Sequence, residues 1–408
     1  MTQASLVGRR FFAALTKQAL VQVTCFGWVI FAAAAAGSAS PGYFPQEQAA
    51  GSGKTQETAP ALPALSSELQ EQRLTSVGRG LHFLDGQQAT DGSFASHAGT
   101  GPTSLALAAM LNQGRSAEHP VVAKGLQYLL ASRKADGGIY APDSIHKNYE
   151  TSLAIMALSL VGDGKTYAAE IESAAKLLRQ MQWGPNQGKG PEDMAHGGAG
   201  YGRHGRPDLS NTSFMIEALK AAGATEEDPD IQAALAFVTR CQNHESEFNK
   251  AEFATTGPKD GGFFYTAAAG GQSMAGEEAA GGLRSYGSMT YAGLKSMLYA
   301  GVSKDDTRVQ AAMSYLKKHY DVQSNPGMGN DGLYYYYQMF GKAFQAIGEA
   351  TFTDESGNVH DWRADLIREL HQRQQANGSW YNVASDRWME GDAVLVTSYA
   401  LLALSYTK

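Results

Sequence analysis

One phrase recurs six times along this chain and restricts its fold more than any other feature. It reads "TSLALAAMLNQG" from Thr103, "TSLAIMALSLVG" from Thr151, "TSFMIEALKAAG" from Thr212, "TYAGLKSMLYAG" from Thr290 and "TSYALLALSYTK" from Thr397. Four copies close on a glycine, at Gly114, Gly162, Gly223 and Gly301. An apolar run closed by glycine is a helix with its stop signal. The same spacing counted back from Gly348 reaches Tyr337, so "YQMFGKAFQAIG" is the sixth copy, with Tyr337 in the Thr position. A second phrase precedes each copy. It is an amphipathic helix running into a polar, Gly-rich turn, clearest as "GLHFLDGQQATDGSF", "GLQYLLASRKADGGIY" and "LIRELHQRQQANGSW". Apolar residues recur there at i, i+3 and i+4, and no stretch alternates with period two. Repeated helix pairs bury their apolar faces by stacking on one another. The pattern predicts an all-α chain: an (α/α)6 toroid of six helical hairpins over residues 68–408, with inner helices around a central cavity. An open solenoid is the alternative. The first and last copies carry no polar capping face, which favours the closed ring.

The N-terminus reads differently. Arg9, Arg10 and Lys17 precede an apolar run from about Leu20 to Ala36, and small residues close it at "AAAGSAS". This predicts a signal peptide over 1–39, cleaved near Ala39. An uncleaved anchor is the alternative, because the run is about long enough to span a bilayer. "GRRFFAAL" resembles a twin-arginine signal, with Ala13 and Ala14 departing from its pattern. Residues 40–67, rich in Pro, Gly, Ala and Gln, predict a flexible linker. The expected location is therefore exported, periplasmic or extracellular, or anchored if the signal stays.

The net charge of -7 and the lack of clustered Lys and Arg after the leader argue against a nucleic-acid partner. Of the two cysteines, Cys25 leaves with the leader and Cys241 sits on an outer helix as a core residue. One cysteine supports neither an intramolecular disulfide nor a Cys-based zinc site.

"GLHFLDGQQATDGSF" and "LHQRQQANGSW" resemble the QW-type repeats of squalene-hopene cyclases, oxidosqualene cyclases and protein prenyltransferase β subunits. "YGRHGRPDLSNTSF", "RSYGSMTYAGLKSMLYAG" and "RWMEGDAVLVTSYALLAL" are similar to segments of exported bacterial, planctomycete-type members of that group. The resemblance covers roughly residues 68–408 and implies the same toroid. It implies a function less directly, since the toroid hosts unrelated chemistries. Class II terpene cyclases protonate an alkene with a D-x-D-D aspartic acid, and this chain has no such motif. The Asp, Cys and His zinc ligands of prenyltransferases and the Cys-Gly-Glu-Gln of complement-type thioester domains are absent too. No cofactor or metal is expected.

In a toroid the residues before each repeat Thr surround the cavity mouth. They are "GTGP", "HKNYE", "RPDLSN", "RSYGSM", "DGLYYYY" and "MEGDAVLV". Candidate acid or base residues are Glu150, His204, Asp208, Glu390 and Asp392. Candidate substrate contacts are Tyr201, Arg203, Arg206, Asn211, Arg284, Tyr286, Tyr334, Tyr335, Tyr336, Tyr337, Arg387 and Trp388. Polar and aromatic side chains converging on a concavity are the usual form of a pocket. Each has a plainer reading. Asp208 and Asp392 stand where helix caps belong, and the helix dipole there opposes a proton-donor role. The arginines are natural partners for these acids. One His and one Asp in "GGAGYGRHGRPDLSN" are too few for a metal. Of the four tyrosines, one or two rings are expected to face the cavity and the others to pack on neighbouring hairpins. The long insert from about Asn243 to Arg284 is expected to be a lid over the mouth or a surface loop.

Three functions stay open. The first is binding, with cyclisation or isomerisation, of a polyprenyl or triterpenoid lipid, the partner being a hydrophobic small molecule with peripheral membrane contact. The second is a non-catalytic lipid-, peptide- or protein-binding scaffold. The third is acid/base chemistry on exported glycans.

Overall fold

A computed structural model describes residues 62–408 except Arg203, His204 and Ala280. The expected leader, most of the expected linker, and the candidates Arg203 and His204 lie outside the described residues. Among the described residues there are thirteen α-helices, and the only strands are Phe352–Thr353 and Val359–His360, an antiparallel pair. The helices are α1 Ser67–Asp85, α2 Gly101–Asn112, α3 Pro120–Ala131, α4 Lys147–Leu158, α5 Ala168–Met181, α6 Leu209–Ala221 and α7 Pro229–Arg240. There follow α8 Glu252–Thr256, α9 Gly287–Tyr299, α10 Thr307–Lys318, α11 Leu333–Ile347, α12 Trp362–Arg373 and α13 Ala393–Ser405.

The inner helices α2, α4, α6, α9, α11 and α13 pack in that order, and α13 returns to α2. The outer helices α1, α3, α5, α7, α10 and α12 lie against them. The architecture is thus a closed (α/α)6 toroid. The inner helices are buried on nearly every face, which is why their copies are apolar all round, while the outer helices bury one stripe.

Three sets of hydrogen bonds explain the repeated residues. An Asp or Asn side chain folds each polar turn by accepting from the amide two residues on: Asp91, Asp136, Asp193, Asp260, Asp321 and Asn377, at 2.7–3.1 Å. The repeat Thr then accepts the amide that follows the turn. Thr103, Thr151, Thr212, Thr290 and Thr397 bond the amides of Phe94, Ile139, Ala199, Phe263 and Trp380 at 2.9–3.2 Å. In the sixth copy the longer Tyr337 donates its hydroxyl to the Val322 carbonyl, 2.8 Å away. Finally, Gln88, Gln182, Gln242 and Gln374 each donate one Nε2 to a turn glycine carbonyl and to a carbonyl of the next outer helix. Gln374 reaches Ser76 of α1 in this way and closes the outer ring.

Five of the six inner helices also receive an acceptor for an N-terminal amide from the following hairpin. The Glu150 carboxylate takes the Thr100 amide at the start of α2 (2.7 Å), and the Tyr201 carbonyl takes the Asn148 amide of α4 (2.9 Å). The Tyr265 carbonyl takes the Leu209 amide of α6 (2.8 Å), and Asn325 takes Ser288 of α9 (3.0 Å). Glu390 takes the amides of Tyr334 and Tyr335 in α11, at 2.8 and 2.9 Å. His97 lies 3.7 Å from Asp392, the cap of α13, across the joint between last and first hairpins. Orphan helix amides and the positive end of the dipole are thereby satisfied in trans, which sets the order of hairpins around the ring.

Candidate functional site

The repeat positions two before, two after and five after the Thr fall on one helix face, because they are spaced by four and then three residues. On α4, α6, α11 and α13 this face points to the ring axis. Tyr149 of α4 and Tyr399 of α13 meet there, hydroxyl to hydroxyl at 3.3 Å. Tyr335 of α11 bonds Ser210 of α6 at 2.9 Å. Phe214 lies edge-on to Tyr149, and its ring centre is 6.2 Å from that of Tyr335. Tyr149–Tyr399, Ser210–Tyr335 and Phe214–Tyr335 bridge helices that are not neighbours in the ring. Where the sequence predicted a central cavity, side chains meet across the axis, and the half-buried Tyr149 and Tyr335 form the floor of the mouth. Two cavities lie away from the axis, about 430 Å³ beside α5 and about 50 Å³ between α9 and α10.

Asp208 stands at this mouth, 2% exposed. It caps α6: Oδ1 accepts the Asn211 amide and Oδ2 accepts Asn211 Nδ2, both at 2.8 Å. Burial pushes its carboxyl up to about 6, against the hydrogen bonds from Asn211 and the Tyr265 hydroxyl and the charge of Arg206. The cap and the perturbed acid are therefore one residue, and burial outweighs the dipole. Around it stand Tyr201, Tyr265, Tyr286 and Tyr335, each with its hydroxyl held protonated well above the ordinary tyrosine range by burial. Asn211 Oδ1 and both side-chain amide atoms of Asn148, on the adjacent α4, are buried without partners among the described residues. Buried polar atoms left unpaired are expensive and mark places where a ligand or water completes the set.

The structure thus brings Tyr201, Asp208, Asn211, Tyr286 and Tyr335 together. It separates the other candidates. The Glu150 carboxylate is consumed by Thr100, Ala141 and Ser144 and joins the first two hairpins. Glu390 is the cap of α11, with Asn382 as a further donor, and burial raises its carboxyl to about 7. Asp392 caps α13. None of these acids faces another across a cleft. Tyr334 and Tyr337 pack edge-to-face, and the Tyr336 hydroxyl goes to the Asp321 carbonyl. So one ring of the four-tyrosine tract, Tyr335, reaches the axis. Arg284 pairs with Glu278 at the surface, Arg206 bonds Gln272, and Arg387 pairs with Asp331 and lies over the Trp388 ring. Trp388 is 45% exposed and holds a positive φ of 56°, its ring set against Gly332. Cys241 is buried and its thiol is pushed up by burial.

The insert folds back over the mouth. It delivers Tyr265 to Asp208, and its Met274 touches Arg387 of the last hairpin (3.9 Å). Sequence reasoning missed Tyr265, Tyr149, Phe214, Tyr399 and Asn148, although three of them occupy the repeat's axial positions. It also missed a charged cluster. Glu217, Lys295 and Lys342 all stand five residues after their repeat Thr or Tyr and meet on the axis, each lysine bonding one Glu217 oxygen. The other three copies carry Ala108, Met156 and Leu402 there. Burial lowers Lys295 to about 8; burial also opposes the Lys342 charge, but Glu217 outweighs it and raises that amine. One carboxylate thus fully compensates one lysine. Among the described residues no group of three or more His, Cys, Asp or Glu could hold a metal ion, and no helix is long and apolar enough to cross a membrane.

Residues 102–269 match the family of the squalene-hopene cyclase C-terminal domain. The chain is also similar over most of its length to solved structures of the type II terpene cyclase MstE from Scytonema. The apo enzyme aligns with a TM-score of 0.47 and 11% identity, over 82% of this chain and 97% of that one. A variant in complex with its substrate, geranylgeranyl dihydroxybenzoate, gives 0.45 and 13%, over 83% and 98%. Another in complex with its product, merosterolic acid A, gives 0.44 and 12%, over 84% and 99%. No curated protein matches the chain.

Proposed function

We propose that this chain is an exported squalene-cyclase-like ring that binds a polyprenyl or triterpenoid lipid at its aromatic mouth and isomerises or cyclises it, with Asp208 as the proton donor. One observation carries the reading: a buried carboxyl, raised to about 6, stands among four tyrosines beside buried amide atoms that have no partner among the described residues. Below that pH the carboxyl is neutral and can give its proton to an alkene. A C–H bond forms, the π bond is consumed, and the aspartate is left with the helix dipole and Asn211 as partners. The cation would then lie against the faces of Tyr149, Phe214, Tyr335 and Tyr399, whose quadrupoles favour positive charge. Loss of a proton back to Asp208 completes an isomerisation with no net change in atoms. Exposed Ile145, Val383, Trp388 and Met389 sit on loops of the mouth side and suit entry of a lipid from a membrane surface.

The test is incubation of the purified chain with squalene and geranylgeraniol, followed by extraction and mass spectrometry, for wild type and Asp208→Asn. Conversion lost in the variant supports the reading. Conversion unaffected by the variant, or no binding of either lipid, overturns it. A second reading, a non-catalytic lipid-binding module, is favoured by the hydroxyl contacts that close the axis beneath the mouth. Tight binding without conversion would select it.

A further inference from the structure

Four outer helices are followed within three residues by the glutamine that ties the turn glycine to the next outer helix. The second hairpin has Arg133 there, three residues before Asp136, as Gln88 stands three before Asp91 and Gln374 three before Asn377. In the fifth hairpin Tyr320 reaches Asp365 of α12 instead, at 2.8 Å. In the second hairpin Arg133 likewise reaches an acid of the next outer helix, Glu170 of α5, so in both hairpins no glutamine amide joins the two backbone carbonyls.

The turn glycines fix which carbonyls are left behind. Gly92, Gly261 and Gly378 pack on the carbonyls of Lys124, Ala311 and Arg79, where a Cβ would come within 2.4, 2.2 and 2.5 Å. Each of those lies three residues beyond the carbonyl that the glutamine binds, namely Val121, Arg308 and Ser76. Gly137 packs in the same way on the Ser173 carbonyl (2.7 Å), so the vacated partner is the Glu170 carbonyl. The other is that of Gly137, which accepts no hydrogen bond among the described residues. Arg133 turns away from both. Its Nη1 pairs with the Glu170 carboxylate at 2.7 Å and its Nε bonds the Leu130 carbonyl at 3.0 Å. What remains is a half-open cleft of about 430 Å³, lined by Arg133, Lys134, Gly137, Ala169, Glu170 and Ser173.

We propose that this cleft is a binding site for a small molecule carrying a primary carboxamide. The NH2 group of the ligand donates to the two vacated carbonyls, as the glutamine does in four sibling hairpins. Its carbonyl accepts from the Lys134 ammonium or a remaining Arg133 N–H. That donor is absent in the sibling sites of Gln242 and Gln374, whose buried Oε1 atoms have no partner. A carboxylate in place of the amide would set an acceptor against two acceptors, which is the strongest form of discrimination a small polar site offers. The site lies on the outer wall and is independent of the reading of Asp208.

L-Glutamine and L-glutamate are the probes, titrated against the full chain by calorimetry or saturation-transfer NMR. Glutamine is expected to bind at least about tenfold more tightly than glutamate. Arg133→Gln supplies the amide internally, so it should abolish glutamine binding and raise the melting temperature. Lys134→Met should weaken glutamine binding without lowering that temperature. The proposal is overturned if glutamine does not bind, if glutamate binds equally well, or if Arg133→Gln binds glutamine as wild type does. Should that variant fail to fold, the comparison of the two probes on the wild-type chain decides alone.

Discussion

Replacing Lys295 with Met should stabilise the ring at neutral pH, although it deletes a buried ion pair. Lys295 is fully buried and shares Glu217 with Lys342. Its amine falls from 10.5 to about 8 on folding, mainly through burial. A tenfold loss of proton affinity is worth about 1.4 kcal/mol, so charging Lys295 costs the native state on the order of 3 kcal/mol below pH 8. The sign follows from proton counting. Between about pH 8 and 10.5 the unfolded chain holds this proton and the folded chain does not, so stability rises with pH across that window. The buried tyrosines act oppositely, but only near and above their ordinary pKa of about 10. Wild type should therefore gain stability between about pH 7.5 and 9.5, and Lys295→Met should show little of that gain. Methionine approximates the lysine stem and leaves Glu217 and Lys342 as a balanced pair, so a net gain of about 1–3 kcal/mol at pH 7 is expected. Urea unfolding at a series of pH values measures both quantities. A variant destabilised by several kcal/mol, with the wild-type pH slope intact, would mean that the Lys295 charge is a net stabiliser of the axis.

Glu217→Gln does the reverse. It leaves two buried ammonium groups without a counter-charge and should cost about 3–5 kcal/mol in the same assay. Glu390 is raised to about 7 by burial, so it holds a proton in the folded state that the unfolded chain has lost between about pH 4.5 and 7. Glu390→Gln should flatten the fall in stability that this group contributes across that window, as read from melting curves at pH 5 and 7. Thr103→Val strands the buried Phe94 amide and should cost about 1–3 kcal/mol by denaturant titration, while Tyr337→Phe, which frees only a carbonyl, should cost about 1 kcal/mol. Gly197→Ala would set a methyl 1.7 Å from the Ala233 carbonyl at a φ of 82° and should prevent soluble expression or lower the melting temperature severely.

The toroid was legible because its repeated residues bond their own backbone. A turn Asp binds two residues on, and the repeat Thr reaches the turn just before it, so the signals lie close together in the chain. The glutamines were visible as a motif, but their partners belong to the next hairpin and no local pattern names them. The same distance hid the fate of Glu150, whose amide partner at Thr100 lies 50 residues back. The charged axis could have been found, since Glu217, Lys295 and Lys342 share one column of the repeat alignment. Tyr265 could not, because it comes from an insert with no counterpart in the other copies. Asp208 was ambiguous for a physical reason. The cap geometry that lowers a carboxyl and the burial that raises it act on the same atoms, and only the tertiary packing around Asp208 decides which prevails.

If the aromatic mouth takes a hydrophobic isoprenoid next to a protonatable Asp208, the chemistry must follow the protonation of that one carboxyl. Product formation from squalene or geranylgeraniol, followed by mass spectrometry from about pH 4.5 to 8, reads this directly. Conversion should be greatest below about pH 6 and fall about tenfold per pH unit well above it. It should be absent in Asp208→Asn, whose asparagine still caps α6. Conversion that is flat across this range, or that survives in the folded variant, would remove Asp208 from the reaction.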